Sequence, residues 1–285
     1  AFSPKATSDG VTARIDMDLD LATDSSTSGN SGRIEQAFFA WGINEQFTFI
    51  GGVFNNPLGQ EAEDAPDINF TNHSLVYNIL DNQTDLKGNN VAGVAGAGAF
   101  GPFTITLAIL NDIQQVDEEN SFAGFVNYEV AAVEGLEFEA GYVTQDKDGT
   151  DFINNSGEVG AGDIWDINGS WNSIMGSKAS AGFDYLGTSE VIDGAYNVWA
   201  GFEFGQGFVV RGRYESISSD VSSVDDVTAV SLYAAWQART NLLIALEYRA
   251  TDAEDLNGDQ TDIFYDITGT GDGDTITAEF IATLP

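Results

Sequence analysis

Apolar and polar residues alternate with a period of two along most of the chain. The clearest example is the stretch 241–250. Every second residue is apolar, and the residues between them become polar toward one end, at Glu247 and Arg249. Side chains two positions apart share one face of a β-strand, so this stretch predicts a strand with one apolar face and one polar face. The apolar face comprises Leu242, Ile244, Leu246 and Tyr248.

Similar segments recur from residue 11 to the C-terminus and predict an all-β protein with about 14 strands. The segments have the length and alternation of half-exposed strands, and Gly, Asn, Asp or Ser separates many of them. The predicted strands are 11–22, 33–43, 47–55, 90–100, 102–112, 121–133, 136–147, 161–172, 177–189, 194–205, 207–219, 226–238, 241–252 and 273–284.

The connections between these segments alternate between short and long. Strict alternation is typical of a transmembrane antiparallel up-and-down β-barrel, which has one rim of tight turns and one rim of long loops. We therefore predict one barrel domain spanning 1–285, with a long inserted loop at 56–89. The short connections are 44–46, 100–102, 134–135, 173–176, 205–207 and 239–240; the long ones are 23–32, 56–89, 113–120, 147–160, 187–193, 217–225 and 253–272.

The face opposite the apolar residues is polar on most strands. Charged side chains without partners cannot be buried in a dry core, because each would cost several kcal/mol. The pattern thus favours lipid on one side of each strand and water on the other. The alternative is a soluble acidic β-protein, which would purify without detergent. The polar faces include Glu137 and Glu139; Asp166, Asn168 and Ser170; Lys178, Ser180 and Asp184; Arg211, Arg213 and Glu215; and Thr277 and Glu279.

Aromatic residues cluster near the ends of the apolar faces. Amphipathic rings at both ends of a lipid-facing surface form two girdles at the polar interfaces of a membrane. Aromatic residues of an ordinary core would lie in the middle of strands instead. We predict girdles that contain Trp41, Trp171, Trp236, Tyr142, Trp165, Tyr185, Tyr214 and Tyr248.

Composition narrows the classes of function. The formal net charge is −35 with only 10 Lys and Arg residues, so nucleic acid is not an expected partner. The chain has no Cys, which excludes a disulfide framework and thiol chemistry. It starts with Ala and has no positively charged, apolar leader, so we expect a mature product or a fragment.

Four motifs resemble those of the β-barrel porin family called OmpL-like. They are Arg-Ile-Glu-Gln-Ala-Phe-Phe-Ala-Trp (33–41), Phe-Thr-Phe-Ile-Gly-Gly-Val-Phe (47–54), Asn-Pro-Leu-Gly-Gln-Glu (56–61) and Pro-Asp-Ile-Asn-Phe-Thr-Asn-His-Ser-Leu (66–75). The resemblance covers about 33–95 and is only architectural beyond it. Phe70 and His73 stand where that family tends to have Tyr and Arg.

The resemblance implies a bacterial outer-membrane porin for passive diffusion of small hydrophilic solutes or ions. It also implies that an N-terminal hairpin is missing here, which would give 16 strands in the complete barrel. The implied partners are outer-membrane lipid and lipopolysaccharide, and trimers are common among porins, so a homotrimer is a hypothesis by analogy. The competing function is a structural barrel, plugged by 56–89, that anchors a surface layer or a partner protein.

Basic residues on the polar faces suggest a constriction. If the first strand closes near the last, Arg14, Arg211, Arg213 and Arg249 fall in one sector of the wall, whereas Lys178 is a further inward basic residue. An acidic segment folded inward could face them and create a transverse field. Alternatively, these residues neutralise neighbouring carboxylates. The acidic residues of that segment are Glu61, Glu63, Asp64 and Asp67.

Residues for covalent chemistry are scarce. His73 is the only His, and Ser74 follows it directly, an arrangement that does not favour a nucleophile–base pair on a strand. Three loops rich in Asp, Asn and Gly resemble calcium loops loosely, but none has the full pattern. We therefore predict no catalytic residue, no resident metal and no cofactor. The three loops are 146–151, 252–262 and 269–274.

Overall fold

The structure, a computed structural model, is almost entirely β-sheet. It describes residues 5–8, 10–19, 32–61, 68–82, 89–111, 113, 120–145, 162–189, 192–219, 226–253 and 272–283. Their strands form one antiparallel sheet in which each strand pairs with the next in sequence. The strands are β1 (Lys5–Ser8), β2 (Val11–Leu19), β3 (Gly32–Gly42), β4 (Phe47–Asn55), β5 (Asn90–Phe100), β6 (Phe103–Asn111), β7 (Asn120–Glu129), β8 (Leu136–Val143), β9 (Ile164–Trp171), β10 (Ala179–Thr188), β11 (Ile192–Phe204), β12 (Phe208–Ser219), β13 (Val227–Arg239), β14 (Leu242–Asp252) and β15 (Gly273–Ala282).

The up-and-down β-barrel predicted from the sequence is confirmed. Fourteen described strands have eight residues or more, and each corresponds to one of the predicted segments. The prediction missed β1, because four residues are too few to show alternation. It also placed a long loop at 187–193, whereas only 189–191 separate β10 from β11. There Thr188 Oγ1 both donates to the carbonyl of Ile192 and accepts from its N–H, at 3.2 and 3.1 Å.

Several tight turns join consecutive strands at one rim, which we call the short-turn rim. Two of these turns contain a non-glycine residue in the left-handed region followed by a glycine, at Met175 with Gly176 and at Gln206 with Gly207. Positive φ at two successive turn residues matches the right-handed twist of paired strands. The glycine is needed because a side chain there would be strained.

Burial along the strands is the reverse of that in a soluble protein. Leu246, Ile276 and Phe280 are 52%, 73% and 69% exposed, whereas Glu215 and Glu247 are 0% exposed. The exposed apolar residues alternate with buried polar ones, so the outer surface of the barrel is apolar and the inner wall carries the charges. The apolar face and the polar face predicted from the alternation of residues are therefore present.

One short helix, α1 (Leu75–Asn82), lies inside the barrel. Ser74 caps it by accepting a hydrogen bond from the N–H of Tyr77 at 3.1 Å. Its apolar residues pack against the inner face of β10, β11 and β12. In the described part of the chain, no helix is both long and apolar enough to cross a membrane. The fully buried residues of α1 are Leu75, Val76, Ile79 and Leu80.

Candidate functional site: the inserted segment and the wall it meets

The described residues 56–61 and 68–82 of the predicted loop 56–89 lie against the inner wall; we call them the inserted segment. After β4 the chain reaches β9 and β10, where the N–H groups of Gly59 and Gln60 donate to Asp166 and Asp184 at 3.4 and 3.0 Å. Trp199 on β11 donates its indole N–H to Gln60 Oε1 at 2.9 Å. These bonds tie the first part of the segment to three neighbouring strands.

Two buried glutamates hold the next part of the segment through its backbone. Glu247 Oε2 on β14 accepts from the N–H groups of Thr71 and Asn72, both at 2.8 Å. Glu215 Oε1 on β12 accepts from the N–H of Leu75 at 2.7 Å. A carboxylate that accepts backbone N–H groups forms strong, charge-assisted bonds. The two side chains therefore fix the chain immediately before α1.

Arginines on the same wall bind the carbonyl groups of the segment. Arg213 Nη2 donates to the carbonyls of Asn72 and His73 at 2.9 and 3.2 Å. Arg249 Nη1 also donates to the carbonyl of His73, at 2.7 Å. The backbone N–H groups of the segment thus bind carboxylates, and its carbonyl groups bind guanidinium groups.

The same arginines and glutamates neutralise one another. Arg213 lies 3.0 Å from Glu215, 3.7 Å from Glu247 and 3.7 Å from Glu61, and Arg249 lies 3.4 Å from Glu215. We call these five residues the charge cluster. Its four wall residues are at most 3% exposed, so removal of one partner would leave an uncompensated buried charge. Of the two hypotheses for these arginines, the contacts favour neutralisation at Arg213 and Arg249.

Aromatic rings complete the attachment. The guanidinium carbon of Arg213 lies 4.4 Å from the centroid of the Phe70 ring, and Phe70 packs on Tyr233 with 5.7 Å between ring centroids. His73 stacks on Tyr77 at 3.9 Å. The contacts with Arg213 and Tyr233 bury Phe70.

Glu61 connects the two parts of the inserted segment. Its carboxylate lies 2.9 Å from His73 Nδ1 and accepts from the N–H of Ser74 at 2.9 Å. Burial raises the pKa of the Glu61 carboxyl, but its hydrogen bonds to His73 and Ser74 and the charges of Arg213 and His73 outweigh this effect. The pKa of Glu61 therefore lies below its ordinary value of 4.5. Ser74 uses its hydroxyl as a helix cap and His73 uses Nδ1 on Glu61, as expected for structural residues.

Replacement of Glu61 by Gln should reduce stability in a pH-dependent manner. A group with a lowered folded-state pKa stabilises the fold above its unfolded pKa and loses this contribution as pH falls through the folded pKa. We expect the variant to be about 1.5–3 kcal/mol less stable than the wild type at pH 7, and the difference to shrink at pH 4 and below. Urea unfolding in detergent at several pH values measures it. A difference that stays constant from pH 7 to pH 3 would contradict this role.

The other residues predicted for a constriction are not members of the charge cluster. Arg14 on β2 pairs with Asp16 of its own strand at 2.7 Å. Lys178 lies beside the short-turn rim and pairs with Glu203 at 3.5 Å, both 54% exposed. Arg211 donates to the carbonyl of Asn69 at 2.7 Å, beside the cluster. Glu63, Asp64 and Asp67 lie outside the described residues.

Carboxylates line another part of the inner wall, on β7 and β8. Glu129 and Glu137 are directly opposite one another across the two strands and are exposed. Glu137 accepts from Ser170 Oγ at 2.9 Å, and Glu139 lies two positions further along β8 on the same face. Like charges this close favour a hydrated surface and attract cations.

All eight residues predicted for the girdles lie on the outer face. Phe208 and Trp236 stack at 5.6 Å near the short-turn rim, and Trp165 packs on Tyr185 at 5.1 Å toward the other rim. Their position at a membrane interface remains a prediction. The most exposed members are Trp41, Trp236, Tyr142, Tyr185, Tyr214 and Tyr248, and Trp165 and Trp171 are half-buried.

Sequence reasoning placed Glu215 and Glu247 on polar faces but did not assign them to the site. It also did not single out Gln60 or Trp199. Trp199 lies on the inner phase of β11, opposite to the exposed Val198 and Phe202. The alternation in β11 therefore predicts that Trp199 faces inward, unlike the tryptophans assigned to the girdles.

Comparisons with known proteins identify the fold. No protein-family model matches the chain, and no curated protein matches it. OmpF of Salmonella typhi, in a complex with daunomycin, superposes with a TM-score of 0.71 over 98% of this chain and 87% of that chain, at 12% identity. The fold is that of a porin. A mutant of the Rhodopseudomonas blastica porin gives 0.57 over 98% and 86% at 16% identity, and an anion-selective porin from Comamonas acidovorans gives 0.58 over 86% and 75% at 11% identity.

The porin-like architecture is therefore shown by structural similarity, since the sequence identities are only 11–16%. The resemblance of 33–95 to the OmpL-like family is not confirmed, because no family model matches. The 16-strand barrel also stays a prediction. In the part of the chain that the structure describes, no three His, Asp or Glu side chains are grouped to hold a metal ion.

Proposed function

We propose that this chain is an outer-membrane porin whose barrel forms a water-filled channel for passive diffusion of small hydrophilic solutes and ions. The observation that carries the proposal is the reversed burial, with exposed Leu246, Ile276 and Phe280 outside and charged Glu215, Glu247 and other residues inside. A barrel of this kind is stable only when lipid surrounds it and its inner wall meets polar groups or water. The proposed location is the bacterial outer membrane, in contact with lipid and lipopolysaccharide.

The inserted segment narrows the proposed channel. It covers the wall from β9 to β15 through its contacts with Asp166, Glu247 and Thr277. Glu129 on β7 and Glu137 on β8 remain exposed, whereas Arg213 and Arg249 are neutralised. We therefore expect the channel to prefer cations over anions.

A second candidate is a plugged barrel that anchors a partner protein or a surface layer. The observation in its favour is the apolar core inside the barrel, in which α1 packs against wall residues such as Leu186, Ile192 and Ile217. Such a core excludes water locally.

A homotrimer packed through the Gly/Ala-rich β5 remains a proposal by analogy. Gly96 lies on the outer face of β5, and a Cβ added there would meet nothing within 4 Å, so this part of the face is open to a neighbouring chain.

Planar-bilayer recording separates the two candidates. The porin proposal predicts discrete conductance steps, with a reversal potential in a KCl gradient that indicates cation preference. Replacement of both Glu137 and Glu139 by Gln should shift that potential toward anion preference, and Glu203→Gln at the rim serves as the control for removal of a carboxylate. Absence of any conductance step from correctly folded protein would favour the plugged barrel and refute the channel.

A further inference from the structure

A second surface, with both polar and apolar side chains, lies beside the inserted segment, which touches its edge at Arg211 and Tyr233. It is a cavity of about 350 Å³ between the inner wall of β12–β15 and residues 68–70, next to the short-turn rim. Cavities of this size bind small organic molecules in other proteins. The lining residues that matter below are Val209, Leu243, Ile281, Arg211, Tyr233 and Glu279.

Arg211 brings an unpaired positive charge to one side of the cavity. Among the described residues, no carboxylate lies within the 4.0 Å that defines an ion pair with Arg211, unlike Arg213 and Arg249. Its guanidinium donates to the carbonyl of Asn69 and lies 5.5 Å from the centroid of the Tyr233 ring. The group can bind an anion without first breaking an ion pair.

Glu279 brings the opposite charge to the other side. It lies on β15, and no Lys or Arg in the described part of the chain pairs with it. The registers Val209↔Ala235, Ala235↔Ala245 and Ala245↔Glu279 place it three strands from the Arg211 strand. At about 4.8 Å per strand, the two backbones are ~14 Å apart. Side chains that point inward from a curved wall shorten this distance between the charges.

Apolar side chains form a strip on the short-turn side of the two charges. Val209 and Ala235 are level with Glu279, and Leu243 and Ile281 lie two residues further toward the rim. Inner walls of water-filled barrels are usually polar, so an apolar strip beside two unpaired charges suits a ligand that has an apolar body as well as charged ends. A simple anion would use only Arg211, and a simple cation only Glu279.

We propose that this cavity binds a short peptide of two or three residues with free termini and apolar side chains. The terminal carboxylate would meet Arg211, the terminal ammonium would meet Glu279, and the side chains would lie on the apolar strip. An extended tripeptide spans ~10 Å at ~3.4 Å per residue, which suits charges on strands three spacings apart. The inference does not rest on the proposed diffusion, because binding at equilibrium requires no conduction.

Calorimetric titration of the detergent-solubilised barrel with alanyl-leucyl-alanine tests the proposal. We expect the N-acetylated peptide and the C-terminal amide each to bind about tenfold more weakly, since each loses one charge-assisted contact. Arg211→Gln should abolish the preference for the free carboxylate, and Glu279→Gln the preference for the free ammonium. The matched controls are Lys178→Gln and Glu203→Gln at the rim, which remove the same charges outside the cavity.

The proposal is supported if Arg211→Gln removes only the preference for a free carboxylate and Glu279→Gln removes only the preference for a free ammonium. Blocked peptides that bind as tightly as the free peptide would overturn it. Octanoate, which carries a carboxylate and an apolar body but no ammonium, should bind more weakly; equal affinity would identify a site for simple organic anions and would also overturn the proposal. A folded wild-type barrel that shows no binding of the peptide at millimolar concentration has the same consequence.

Discussion

Replacement of Arg213 by Ala should destabilise the barrel by about 3–5 kcal/mol and enlarge its single-channel conductance. Arg213 is 3% exposed and lies within 3.7 Å of Glu215, Glu247 and Glu61. Without the arginine, Glu247 loses its described ion pair, while Glu215 keeps Arg249 and Glu61 keeps His73. The variant also loses the bonds to the carbonyls of Asn72 and His73, so the inserted segment should detach from the wall.

The stability effect is measured by urea unfolding in detergent and the conductance by planar-bilayer recording. Lys178→Ala is the control, because Lys178 lies beside the short-turn rim and pairs with Glu203, and both side chains are 54% exposed. That control should lose less than about 1 kcal/mol. Addition of Glu247→Gln to the Arg213 variant should recover part of the loss, because Arg213 is the described ion-pair partner of Glu247. An Arg213 variant with the stability and conductance of the wild type would show that the segment is held by other contacts.

Replacement of Leu246 by Arg should prevent insertion into lipid or destabilise the inserted barrel by about 2–4 kcal/mol. Leu246 is 52% exposed on the outer face of β14, and its register partners are Ala234 and Ala278. It therefore lies between Tyr248 and the level of Trp236, near the middle of the apolar band. An arginine there must reach through hydrocarbon to water.

Leu243→Arg is the control for this prediction. Leu243 belongs to the same strand, three residues away, but faces the cavity inside the barrel. The same chemical change should therefore have a much smaller effect on insertion into phospholipid vesicles. Equal loss in both variants would contradict the assignment of the two faces.

The strands were predictable because alternation records the environment of each face. In β14, the exposed Leu246 and Tyr248 alternate with the buried Glu247 and Arg249, and this pattern needs no knowledge of distant contacts. The same logic located the tight turns. It failed at α1, whose apolar residues Leu75, Val76, Ile79 and Leu80 span only two helical turns within an irregular loop.

The site was less predictable, because its contacts join residues that are far apart in sequence. Glu247 binds the N–H of Asn72, which is 175 positions away, and Arg213 binds the carbonyl of the same residue. A sequence shows that Glu247 faces inward but not which backbone lies opposite. The arginines were predicted to line a constriction; the structure shows that Arg213 and Arg249 contact the inserted segment and the glutamates.

The account depends most on which side of the sheet meets lipid. The chain has no Cys, so a single Cys introduced at position 246 or at position 243 carries a spin label without competition. In lipid nanodiscs, we predict that the label at Leu246 collides mainly with oxygen, which concentrates in hydrocarbon, and that the label at Leu243 collides mainly with a water-soluble nickel chelate. The opposite assignment, or nickel accessibility at both positions, would contradict a lipid-facing outer surface and a hydrated interior.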